Sequence, residues 1–223
     1  MTRIAIWSDF RGVLTPPLAE GVRRFCEGTD FTPAQIVRCL RAIAERHGCP
    51  DGMAVLDSGV LDERRWTGEI ERELLGRYDV SADLSDFATR WWSDRRLDED
   101  WVAALREWRA AGAFVGLMSN LPVEWRGHLA AFPTVADGFD DVVLSCDVGT
   151  RKPETRIFRL AEARSGLAPR FNVLVDDLPG NVAGAREAGW CGVLSGGDAT
   201  KSAIALIDSM ISGSAAICEG VSR

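Results

Sequence analysis

The sequence lacks the marks of several functional classes. It has no Lys/Arg-rich block and no basic tail, and its net charge is −7, so a nucleic-acid partner is not expected. A local site can still be positive on an acidic protein. No segment approaches the roughly 18 consecutive apolar residues of a membrane span, and no membrane partner is expected. Six cysteines occur, at 26, 39, 49, 146, 191 and 218, with no CxxC pair among them. Singly placed cysteines in apolar runs are expected as reduced core thiols rather than zinc ligands or disulfides. The stretch Met1–Trp7 is too short before its first acid to read as a signal peptide, and the expected location is cytoplasmic. Repeats and low-complexity segments are also missing. What remains is ordinary globular composition, 46% apolar and 26% charged over 223 residues, the size of one large domain or of a core with a smaller inserted unit.

Five short apolar runs punctuate the chain: Ile4–Trp7, Phe114–Met118, Val142–Leu144, Val173–Val175 and Gly192–Leu194. They are continuous rather than alternating, which suits strands of a parallel sheet covered on both faces. Helical patterns follow them, so the expected fold class is α/β, a doubly wound parallel sheet. In such sheets a ligand sits beyond the carboxyl ends of the strands. That rule selects Ser8-Asp9, Ser119-Asn120, Ser145 and Asp176-Asp177.

Helix signals are clear elsewhere. Thr32-Pro33-Ala34-Gln35 is a capping box with proline at the first helical position. Asp62 and Asp98 are candidate N-caps, and Gly166 and Gly189 stand where helices should stop. From about 18 to 96 the strand–helix alternation breaks, and only helical patterns appear, at 33–47, 62–77 and 84–93. The expected organisation is an α/β core from residues 1–17 and 97–223, interrupted by an all-helical cap at 18–96. The last residues, from about 214, read as a frayed tail. Eight tryptophans, with Trp91-Trp92, Trp101 and Trp108 at helical placement, are expected in packing rather than in a ligand pocket, and His128 on a helix surface.

Four pieces lie in order at the predicted strand ends. They are Asp9-Phe10-Arg11-Gly12-Val13-Leu14-Thr15, then Ser119-Asn120, then Lys152-Pro153-Glu154, then Asp176-Asp177 with Asn181 and Gly184-Ala185 behind it. Each alone is common; four in order, each following an apolar run, form a specific pattern. This pattern resembles the four motifs of the haloacid dehalogenase-like hydrolase superfamily. The stretch Leu56–Leu61 resembles the start of the second cap helix in phosphatase-like members with a small helical cap. The similarity extends over about residues 3 to 195.

The resemblance implies an Mg2+-dependent phosphatase or phosphotransferase acting on a small phosphorylated metabolite. A carboxylate at a strand end can attack phosphorus and form an aspartyl phosphate, and Asp9 is the candidate nucleophile. Asp9, Asp176 and Asp177 offer the hard oxygen ligands that suit Mg2+. By resemblance Asp9 and Asp177 would bind it directly, Asp176 directly or through water, and the backbone carbonyl of Arg11 would add a ligand. Ser119 would hydrogen-bond a phosphoryl oxygen with help from the Asn120 backbone N–H. Lys152 would neutralise charge shared by Asp9 and the phosphoryl group. Oligomeric state is not readable, and a homodimer stays open.

One position departs from the family pattern. Phosphatases of this kind carry a second Asp two residues after the nucleophile, which protonates the leaving oxygen and then activates water; here that residue is Arg11. Arginine stays protonated and can grip an anion, but it is no normal general base. Three readings follow. Another residue supplies the proton, and the cap offers His47, Asp57 and several Glu. Alternatively, the substrate carries a leaving group that needs little protonation. Or the protein is degenerate or non-hydrolytic and binds a phosphorylated ligand. The dehalogenase branch also lacks the second Asp, but it needs no metal, and Asp176-Asp177 looks like a metal site.

Overall fold

The computed structural model describes residues 3–93 and 95–213. The tail expected to fray, and Cys218 with it, lie outside them. Five parallel strands form one sheet in the order β3-β2-β1-β4-β5: β1 Ala5–Ser8, β2 Phe114–Ser119, β3 Asp141–Leu144, β4 Asn172–Asp176 and β5 Cys191–Leu194. Each strand lies within one residue of its apolar run. Along β1 the side chains alternate between two separate cores. Ile4 and Ile6 pack with Val115, Leu117, Val173 and Val175 on one face, whereas Ala5 and Trp7 pack with Phe114, Met118 and Leu174 on the other. Both faces are therefore buried, which is why the runs are continuously apolar. Gly116 is required by this packing, because a Cβ there would sit 2.3 Å from the Trp7 ring.

Helices α1 Leu18–Phe25, α2 Pro33–His47, α3 Gly52–Asp57, α4 Glu63–Tyr78 and α5 Phe87–Ser93 follow β1 before the chain returns through α6 Glu99–Ala110 to β2. The short helices α7 Arg126–Ala130, α8 Pro133–Asp137 and α9 Ser145–Val148 flank β3. They are followed by α10 Thr155–Ser165, α11 Pro179–Glu187 and α12 Thr200–Ile211. α6 and α12 cover one sheet face, tied by the Trp108 indole donating to Asp208 at 2.7 Å. α10 and α11 cover the other.

The caps fall where the residue types place them. Thr32 and Gln35 close the capping box on α2, and Asp62 and Asp98 accept from the third backbone N–H of α4 and α6. Two helices were not read from the sequence, and both are short: α1 has eight residues and α3 six. The pattern read at 84–93 is helical only from Phe87; ahead of it the Leu84 and Ser85 N–H groups donate to the Glu71 and Asp83 carboxylates. All eight tryptophans are buried. The five described cysteines are free thiols. His128 is half-buried rather than on an open surface, stacked on Trp92 at 5.7 Å. No helix among the described residues is long and apolar enough to cross a membrane.

Candidate active site

The strands run in register, with Ser8 opposite both Leu117 and Val175. Their carboxyl ends therefore deliver Asp9, Ser119 and Asp176-Asp177 to one edge. The Asp9 N–H donates to Val175 O at 2.9 Å, so the main chain at the candidate nucleophile is still part of the β1–β4 seam. Ser8 supports it from beneath, donating to Asp9 O at 2.7 Å and accepting from the Trp101 indole at 2.9 Å.

After Asp9 the chain makes a wide, kinked helical turn over Phe10–Leu14, closed by Thr15 N–H donating to Phe10 O at 3.0 Å. Gly12 is needed twice over. Its φ is +93°, and a Cβ there would lie 2.1 Å from Asp177 Oδ2. Gly196, after β5, has φ +136°, and its Cβ would meet Gly12 O at 2.5 Å. Sequence reasoning missed Gly196; the signal was a Gly-Gly pair one residue behind the fifth apolar run.

Asp9, Asp176 and Asp177 each bring a carboxylate oxygen into one cluster whose members all lie within 4.8 Å of one another. Lys152 is buried among them. Its Nζ donates to Asp9 Oδ1 at 2.7 Å, Asp176 Oδ2 at 2.5 Å and Met118 O at 2.8 Å. The ammonium is thus fully used, and its two acidic neighbours raise its pKa against the pull of burial. Asp176 Oδ1 accepts from Leu178 N–H at 3.0 Å and from the Asn181 amide at 2.9 Å. Gly184 lets α11 approach closely, since its Cβ would fall 2.6 Å from Pro153.

Asn120 does something the sequence did not suggest. Its side-chain amide brackets the Lys152 backbone, accepting from Lys152 N–H at 2.9 Å and donating to Lys152 O at 3.0 Å. Ser119 is fully buried, and the hydrogen bond described for its hydroxyl, to Asn120 O, is 3.5 Å long, too long to occupy it. Ser145 fixes the adjoining loop by accepting from Leu121 N–H at 2.9 Å.

The Arg11 guanidinium turns to the inserted helices. Nη2 donates to Asp57 Oδ2, at the end of α3, at 3.0 Å and to Asn120 O at 2.8 Å. Arg151 stands 3.9 Å from the same Asp57 oxygen. Burial pushes the Asp57 carboxyl up, against the pull of Arg11 and Arg151. Of the residues at 18–96 that could transfer a proton, only Asp57 touches Arg11 among the described contacts, and His47 is engaged with Glu69 at 3.0 Å between α2 and α4.

Two carboxylates of the cluster, Asp9 and Asp177, resist ionisation. Burial, with repulsion from Asp9 and Asp176, pushes Asp177 up to about 7. Burial raises Asp9 to about 6, with Lys152 opposing and Asp176 reinforcing. Both groups bind their proton more tightly folded than unfolded, where the value is near 3.8. In cation-free solution their contribution to stability is present below about pH 4 and is lost as pH rises through about 7. Urea denaturation in chelator across that window should show falling stability, and Asp177→Asn should flatten the slope.

A profile of haloacid dehalogenase-like hydrolases matches residues 5–189. A phosphoserine phosphatase of Thermus thermophilus is 35% identical over 88 residues, which span 39% of this chain and only about a third, 35%, of that protein. Among solved structures, a HAD family enzyme of Bacteroides thetaiotaomicron superposes with a TM-score of 0.63 at 18% identity, covering 89% of this chain and 96% of its own. A dehalogenase captured with its intermediate gives 0.65 at 18% identity, covering 86% and 84%. Such structural likenesses carry the fold, but the profile takes in every side chain of the cluster, and on that ground the chain belongs to the haloacid dehalogenase-like hydrolases.

Proposed function

We propose that the protein is a Mg2+-dependent phosphatase acting on a small phosphorylated metabolite through an aspartyl phosphate at Asp9. The observation that carries this reading is the buried convergence of Asp9, Asp176 and Asp177 around Lys152. The residues fit a hard cation. Their donors are carboxylate oxygens, Asp9 and Asp177 ionise reluctantly without one, and the Gly12 position would be filled by any Cβ. Asp9 and Asp177 would hold it, with the Arg11 carbonyl. Asp176, already accepting from Lys152, Leu178 and Asn181, would reach it through water. A bound Mg2+ supplies charge neutralisation for the phosphoryl oxygens. The Bacteroides relative has been seen in complex with magnesium and inorganic phosphate.

The protein's own groups then divide the work. An Asp9 carboxylate oxygen attacks phosphorus, the bond to the leaving oxygen breaks, and water later attacks the aspartyl phosphate to return phosphate and free Asp9. Lys152, trading one of its present partners, and the Ser119 hydroxyl would hold charge on the phosphoryl oxygens, and such positioning is most of what phosphoryl transfer needs. The helices at 18–96 act as a cap: Asp57 meets Arg11, and the Glu63 carboxylate accepts from the Trp125 indole at 2.9 Å. Closure would exclude water. With Arg11 where a general acid would stand, the favoured substrates carry leaving groups that need little protonation. The free thiols suit a reducing compartment, and we place the protein in the cytoplasm.

A dehalogenase shares the fold at similar TM-score, but the carboxylate cluster favours a phosphoryl substrate with a cation over a halide. Phosphate release from an aryl phosphate, measured with Mg2+ and with excess chelator, separates the two readings. Turnover should require Mg2+, and halide release from a 2-haloacid without metal would overturn the proposal.

A further inference from the structure

Asp57 is the last residue of α3, where the negative end of the helix dipole disfavours an acid. Among the described contacts its carboxylate bonds nothing within the inserted helices. Its partners lie on the core instead. Arg11 Nη2 donates to Oδ2 at 3.0 Å, and Arg151 Nη2 stands 3.9 Å from the same oxygen. Both arginines belong to loops of the candidate site: Arg11 is two residues beyond Asp9, and Arg151 directly precedes Lys152. The same Arg11 nitrogen donates to Asn120 O at 2.8 Å, and the Asn120 amide clamps the Lys152 backbone. Arg151 also stands 3.9 Å from Asp51, the N-cap of α3. Charge contacts at both ends of α3 therefore run to the segments that carry Asp9 and Lys152.

Apolar packing does not close this seam. A cleft of about 550 Å3 runs along it, with Asp57, Ser58 and Gly59 on one side and Pro122, Cys146 and Arg151 on the other. Elsewhere the two parts are joined by aromatic rings, as where Phe87 stacks on Trp125 at 6.0 Å. At the cleft the ion pairs of Asp57 make the crossing. They are not saturated: Arg11 Nη1, Asp57 Oδ1 and Arg151 Nε are buried without a hydrogen-bond partner. Unmet polar groups oppose the closed seam, so closure there depends on the charge of Asp57. We propose that Asp57 is a positioning residue. Its carboxylate, shared by Arg11 and Arg151, holds the inserted helices down on the loops that carry Asp9 and Lys152, so that closing the cap and setting those loops are one event. The kinetic consequence rests on the proposed phosphatase activity; the seam contact does not.

Indole hydrogen exchange of the 15N-labelled protein in D2O reads the seam without substrate or metal. The Trp125 indole donates across it to Glu63, at the start of α4, at 2.9 Å. Two other indoles serve as references: Trp66 donates to Gly52 O within the inserted helices, and Trp7 to Asn172 within the core. Each signal is identified by its loss in the matching Trp→Phe variant. In Asp57→Asn the Trp125 exchange rate, relative to both references, should rise by about tenfold or more, the scale of one lost hydrogen bond to a charged group. A role confined to stability would move all three indoles together, and an unchanged ratio would overturn the proposal. With Mg2+ and an aryl phosphate, kcat of the same variant should fall by about tenfold while KM moves by less than about threefold. An unchanged kcat beside faster Trp125 exchange would also overturn it. If the unaltered protein turns over no aryl phosphate, the phosphatase reading fails, and the exchange ratio alone decides the role of Asp57. If Asp57→Asn does not fold, Arg151→Gln removes the longer of the two ion pairs. The ratio should then rise by about threefold, the scale of one weak ion pair, and no rise would overturn the proposal.

Discussion

Asp9→Asn should release no phosphate above background from any substrate that the unaltered protein turns over. The substitution keeps the shape of the side chain but replaces an anionic nucleophile with an amide. Removing the nucleophile from an enzyme that works through a covalent intermediate costs on the order of 10⁶-fold in kcat. The fold should survive, because Asp9 joins the sheet through its main chain, by N–H to Val175 O. Lys152 keeps Asp176 and Met118 O as partners. The change also removes one of three crowded carboxylates, so the variant should melt no lower than the parent at pH 8 in chelator. Full loss of activity with an unchanged melt isolates the chemical role. Retention of more than about a thousandth of the rate would mean that another group attacks phosphorus.

The second large effect concerns Arg11. Replacing it by Asp installs the acid–base residue that the family resemblance implies at this position, but the Arg11–Asp57 contact predicts that the change fails alone. The Asp57 side chain is 1% exposed, and Arg11 is its close ion-pair partner, with Arg151 at 3.9 Å. Removing one member of a buried pair costs about 3–5 kcal/mol, and Arg11→Asp also sets a second carboxylate beside the stranded one. A fall in Tm of roughly 10 °C is expected for a chain of this size. The double change Arg11→Asp with Asp57→Asn removes the conflict. In single-turnover kinetics it should raise phosphate release from an unactivated alkyl phosphate by about 10²-fold, the lower range of general acid–base help. An aryl phosphate, whose leaving group needs little protonation, should gain less. A folded double variant with equal or reduced rates on both substrates would assign Arg11 a positive role, such as holding an anionic substrate.

Much of this protein was legible in its sequence because local chemistry fixed it. The five strands are buried on both faces, so their side chains had to be continuously apolar, and each run lies within one residue of its strand. Thr32, Asp62 and Asp98 cap helices through bonds that span three residues, and Gly166 ends α10 with φ +69°. Such short-range requirements leave marks that survive without tertiary context. Asp9, Ser119 and Asp176-Asp177 could be selected together because strand ends in a parallel sheet share one edge, whereas Lys152, on the loop after α9, was singled out by the motif resemblance.

Only the tertiary structure decided the rest. α1 and α3 are only eight and six residues long and are stabilised by packing, as most short helices are. The Asn120 amide clamps Lys152 across 32 residues, and Arg11 meets Asp57 across 46. Gly196 touches Gly12 from the far end of the chain. Arg95, whose sequence position resembles a surface arginine, lies over the Trp91 and Trp92 rings. The sequence determined the sheet, its edge and the residues gathered there. Which side chain faces which across that edge depends on distances between segments far apart in the chain, and no local propensity encodes those.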